Sequence, residues 1–156
     1  MDAQSYRDRV EDALDEADYE PTEVDEFETV WHKETEDPTI GVTHVCVTVV
    51  EGEGVDESAL KQTAESFRGV LSEIAPTQPG GVKNLFGYIV FADTELSDEL
   101  IEFATEEYTV ADRRTSVFPL LFELSTETLH LHPVPRLKGR GFYEKQKLDA
   151  ESLFSV

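Results

Sequence analysis

Residues 85–92 read LFGYIVFA, apolar at odd and even positions alike. A strand with one wet face alternates, so a run that does not alternate is covered on both faces and lies in the middle of a sheet. The chain continues DTELSDELIEFATEEY over 93–108 and resumes an apolar run at SVFPLLFELS, 116–125. Ser97 is placed to cap a helix running to about Tyr108, with Leu96 and Ile101 as a hydrophobic staple. Strand, helix and strand make a βαβ unit with parallel strands. Pro119 cannot donate to a ladder, which puts its strand at an edge or starts its pairing after that residue.

Working outward, VTHVCVTVV at 42–50 is valine-rich enough to be a largely buried strand. Residues 27–34 alternate, with Phe27, Thr29 and Trp31 on one side, and TEDPTIG turns the chain between the two. Between this hairpin and the central strand, Leu60, Ala64, Phe67, Leu71 and Ile74 follow helical spacing behind an Asp56 cap. Tyr6, Val10, Ala13, Leu14 and Ala17 mark an amphipathic helix over 3–17. Beyond the βαβ unit, TLHLHPVP returns from a turn at STET as a second hairpin strand. The sum is an α/β (α+β) fold in one domain, residues 1–156: a mixed sheet of about five strands, a βαβ unit, flanking hairpins and packed helices.

The chain holds 34 Asp and Glu against 13 Lys and Arg, a net charge of −21, dispersed along the sequence. Dispersed acidity with little lysine, in a chain that keeps strong apolar runs, is expected of a protein working in concentrated salt. Carboxylates hold water there, and a Debye length of about 3 Å at 1 M removes most self-repulsion. No apolar run approaches the ~20 residues a bilayer needs, and the N-terminus lacks a basic region followed by an apolar one. Cys46 is the single cysteine. A cytoplasmic protein without membrane contact is the expectation.

Candidate chemistry is sparse. A turn near Asp37–Pro38 sets facing positions to sum to about 76, bringing His32 opposite His44 with Cys46 next on that face. Two imidazoles and a thiol are zinc-type ligands, so these three are the metal candidates; a one-residue slip separates them, and a buried thiol with hydrogen-bonded histidines is the competing reading. The assignment is therefore no metal and no cofactor. His130 and His132 share a strand face, and Asp93 and Thr94 follow the central strand where ligands of open α/β sheets gather. QPGGVKN is not a P-loop, and no nucleophile elbow or H-E-x-x-H helix is present.

The stretch FGYIVFADTELSDELIEFATEEY followed by FPLLFELS, with a hairpin and helix upstream, resembles restriction-endonuclease-like domains over about residues 27–131. In active members the strand before the central helix carries E-x-K and an acid lies upstream, together holding Mg²⁺. Here that strand reads THVCVTVV. The resemblance thus implies a non-cutting relative and transfers no catalytic residue.

One segment departs from the rest of the chain. Residues 113–147 hold seven bases and three acids, a net of +4 that leaves −25 on the other 121 residues. ADRRTS and PRLKGRGFYEKQK flank the C-terminal hairpin. Three roles compete for this basic segment, 136–156 with Arg113 and Arg114. It can pair with the protein's own carboxylates, bind a protein partner with Phe142 and Tyr143 as anchors, or contact nucleic acid. Salt disfavours the last, since five phosphate contacts lose on the order of 10⁴-fold in affinity per tenfold rise in salt. The reading is a non-enzymatic interaction or regulatory domain of a salt-adapted cytoplasm. It binds a protein partner through Arg113, Arg114, Arg136, Lys138, Arg140 and Tyr143. The alternative is a nucleic-acid-associated, nuclease-like protein, inactive or metal-dependent.

Overall fold

The computed structural model describes residues 1–37, 41–51, 54–74, 84–108, 111–112, 115–136 and 140–155. In chain order these form α1 (Ala3–Glu16), β1 (Glu20–Thr22), β2 (Val30–Asp37), β3 (Gly41–Glu51), α2 (Glu57–Ile74) and β4 (Asn84–Asp93). They continue as α3 (Asp98–Glu102) with a π-helical turn (Phe103–Glu107), β5 (Ala111–Asp112), β6 (Thr115–Glu123), β7 (Thr128–His130) and α4 (Arg140–Leu153). The seven strands make one mixed sheet in the order β1-β2-β3-β4-β6-β5, with β7 also on β6. β4 is central and parallel to both neighbours, and its first nine residues are all buried. The α/β architecture with helices on the sheet is as expected; the two additional strands, β1 and β5, are three and two residues long.

The two faces of β4 are claimed by different helices. Gly87 faces α2 so closely that a Cβ there would stand 3.0 Å from Leu71 and from Phe67, so the absent side chain sets how near the helix lies. Phe86 and Tyr88 point the other way, onto Phe142 and Phe154 of the C-terminal region. On that second face Tyr6 of α1 stacks on Phe122, and its hydroxyl donates to the Phe154 carbonyl at 2.8 Å. Local chemistry starts α1, α2 and α3: Asp2 accepts from Ser5 N, Asp56 from Ala59 N and Ser97 from Leu100 N.

Three details differ from the sequence reading. Strand β2 begins at Val30, and its register with β3 sums to 78, pairing Trp31 with Val47 and His32 with Cys46. A two-residue shift preserves which face each side chain occupies, so the hydrophobic pattern alone does not separate the two registers. The helix after Ser97 keeps α geometry only to Glu102 before widening into the π turn, whose Tyr108 N–H reaches the Phe103 carbonyl. The basic C-terminal segment is largely a 14-residue helix, α4.

Pro119 sits mid-strand and is paired with Ile89 on its β4 side. On the opposite side β5 covers Thr115 and Ser116, and β7 covers Leu121 to Glu123. The stretch between has no partner strand among the described residues. A residue's N–H and C=O point to the same edge of its strand, so the missing N–H of Pro119 falls on this uncovered side. Its carbonyl also points there, and what receives it defines the site below.

Candidate interaction site at the uncovered edge of β6

Beyond β7 the chain runs through HPVP, residues 132–135, across the uncovered edge. His132 is 2% exposed and its Nε2 lies 3.0 Å from the Pro119 carbonyl oxygen. Gln146 of α4, wholly buried, holds the His132 backbone from both sides. Its Oε1 accepts from His132 N at 3.0 Å, and its Nε2 donates to His132 O at 3.1 Å and to Tyr143 O at 2.9 Å. One primary amide thus replaces the pair of ladder bonds a neighbouring strand would have made. Burial pushes the His132 imidazole down to a pKa of about 4, with the bond to Pro119 opposing.

A groove of about 340 Å³ opens beside this clamp, lined by Thr105, Tyr108, His132, Pro133, Pro135 and Tyr143, with exposed Glu106 at its rim. Tyr143 packs edge-on to Phe118 at 5.3 Å between centroids and lies 6.1 Å from the His132 ring. Burial raises the pKa of Tyr143 and of Tyr108; at Tyr108 nearby Glu65 adds to the rise and Arg68 opposes it. The Tyr108 hydroxyl is buried with no hydrogen-bond partner among the described residues. Arg136 follows Pro135 directly and is exposed, and Arg140 stands one helical turn before Tyr143.

The basic residues divide between surface and interior. Lys145 turns inward, 12% exposed, with Nζ 3.1 Å from Asp149 and 5.9 Å from the centre of the Phe86 ring. Asp149 in turn accepts from the Tyr88 hydroxyl at 2.7 Å. Internal pairing therefore accounts for Lys145. Arg140 bonds Glu144 at 2.7 Å on the exposed side of α4, and Arg136 and Lys147 are exposed. Of the six residues expected to form the partner surface, Tyr143 lines the groove, while Arg136 and Arg140 are exposed nearby in the chain, after Pro135 and one turn before Tyr143. Arg113, Arg114 and Lys138 lie outside the described residues.

The metal candidates share a face of the β2–β3 hairpin. His32 Nε2 and His44 Nδ1 are 2.9 Å apart, with ring planes 14° apart and centroids separated by 5.1 Å. That centroid distance equals the N···N contact plus two ring radii, so the nitrogens meet head-on in an N–H···N hydrogen bond. An ion on that line would stand at half of 2.9 Å from each nitrogen, well inside the ~2.0–2.1 Å of a zinc–imidazole bond. Cys46 is 1% exposed, and burial pushes its thiol up to about 12. Among the described residues no group of three His, Cys, Asp or Glu side chains is placed to hold a metal ion.

Other candidates resolve differently. His130 pairs with Leu121 inside β7, whereas His132 lies past the strand, so the two do not act together. Asp93 bonds the Thr94 N–H at 2.6 Å and lines a recess with Asp2, Glu51 and Glu95, all acidic. No helix among the described residues is long and apolar enough to cross a membrane. Sequence reasoning missed Tyr108, Pro133, Pro135 and Gln146 as groove and clamp residues; the alternating prolines after a histidine were the available signal. No protein-family model, curated protein or solved structure matches the chain.

Proposed function

We propose that the chain is a non-enzymatic interaction or regulatory domain of a salt-adapted cytoplasm, and that it holds an acidic protein partner at the groove beside Arg136, Arg140 and Tyr143. The observation that carries this reading is the groove itself. Two tyrosines and two prolines wall a recess beside the stretch of β6 that no strand covers among the described residues, and exposed Arg136 directly follows Pro135 in a chain of net charge −21. Aromatic and arginine side chains are the types that dominate interface energetics, and local cations select an acidic partner over the rest of this surface.

Arg136→Glu combined with Arg140→Glu separates the interface from a stabilising role. The Arg140–Glu144 pair is exposed and contributes about 0.3–0.5 kcal/mol, so the melting temperature of the double variant stays within a few degrees of wild type. In a pull-down from native lysate in molar KCl, a protein retained by wild type and crosslinked by a photoreactive residue at position 133 is lost from the variant at least tenfold. Equal retention by both proteins overturns the reading.

Salt adaptation is tested on the same protein. With 34 carboxylates against 13 cationic side chains, self-repulsion is largest in dilute buffer. Raising KCl from ~0.1 to ~2 M, which shortens the Debye length from about 10 Å to under 3 Å, raises the melting temperature by roughly 10 °C or more. A melting temperature independent of salt removes this part of the proposal.

A further inference from the structure

Resting on the interaction reading above, we infer that the groove takes an extended peptide segment that donates one backbone N–H to His132 Nδ1 and seats an apolar side chain among Tyr108, Pro133 and Tyr143. A carbonyl oxygen only accepts, so the 3.0 Å contact with Pro119 requires the proton on His132 Nε2. A neutral imidazole has one ring proton, which leaves Nδ1 as a bare acceptor, and no described residue donates to it. His132 is itself 98% buried by its 2% exposure, and it lines the groove. The clamp of Gln146 on both its backbone groups fixes the ring, so the acceptor is preorganised.

An occupant is therefore required to bring a donor. An ionised carboxylate brings only lone pairs to that point and is disfavoured there. A peptide N–H is a neutral donor flanked by carbon, which suits tyrosine and proline walls, and backbone groups of extended segments are a recurring source of affinity in peptide recognition. At about 340 Å³ the groove is at the small end of ligand pockets, room for a side chain and its adjoining peptide unit. Acidic residues flanking that unit are favoured by the exposed cations of this segment, Arg136 after Pro135 and Arg140 one turn before Tyr143.

The test pans a random heptapeptide library against the immobilised full chain in molar KCl. Selected peptides are expected to crosslink to a photoreactive residue at position 133. In an N-methyl scan of the best peptide, methylation of one amide lowers affinity tenfold or more while methylation elsewhere changes it little. Altering the ligand leaves the fold of the protein untouched. The inference is overturned if no peptide is selected, if crosslinks fall away from position 133, or if no single N-methylation matters. Those outcomes leave the interaction domain standing when Arg136→Glu with Arg140→Glu still releases the partner; if that double variant retains it, the broader reading has failed on its own test.

Discussion

Gln146→Leu is expected to lower the unfolding free energy by about 2–5 kcal/mol. The side chains are similar in size, so the cavity term is small, and the loss comes from polar groups. Leucine leaves the buried His132 N–H and C=O without the partners that Gln146 provides at 3.0 and 3.1 Å. Each orphaned buried group costs roughly 1–3 kcal/mol. In a domain of this size the loss corresponds to a fall of roughly 5–15 °C in melting temperature. Urea unfolding in molar KCl measures it, and a loss below about 1 kcal/mol shows that the edge of β6 does not depend on this amide. The same variant loosens His132 and so weakens whatever the groove holds. Lys147→Leu, one residue further on the exposed side of α4, is expected to change stability by less than about 0.5 kcal/mol and serves as the control.

The elements legible in the sequence are those whose burial is uniform over several turns or pleats. β4 is apolar on both faces because α2 covers one and α1 with α4 the other, and α2 keeps its period because a single face meets the sheet. α4 hides its period for a physical reason. The centre of its inner face is Gln146, a polar residue buried because it replaces strand pairing, and Leu148 on the outside is 65% exposed. Lys145 adds an inward charge whose stem packs on Phe86. Polarity and burial are thus inverted at three positions in four, and composition marked only a basic run. That bias does mark the segment that carries Tyr143, which lines the groove, and Arg136, which follows the groove residue Pro135. The groove depends on the π turn meeting the HPVP segment across β6, a long-range contact with no local signature. β1 and β5 were illegible because three and two residues hold no period.

Lowering pH from 7 to 4 is expected to remove about 3 kcal/mol of stability through His132 alone. Burial holds its folded pKa at about 4, against 6.5 for the free side chain. Below pH 6.5 the unfolded chain therefore binds a proton that the folded chain refuses, so this contribution is complete above 6.5 and is lost as pH falls towards 4. His32 acts with the same sign, its pKa lowered by desolvation first and by His44 second, while Glu34 and Glu20 oppose. The many carboxylates titrate over part of the same range, so the measurement is a difference between wild type and His132→Gln in molar KCl. The gap in unfolding free energy between the two is expected to narrow by about 3 kcal/mol from pH 7 to 4; a constant gap sinks the assignment. The same burial has a second consequence at neutral pH. A ring that resists protonation while Nε2 is committed to Pro119 keeps Nδ1 an acceptor throughout the working range, so one desolvation cost both holds HPVP on the sheet edge and sets the tautomer of His132.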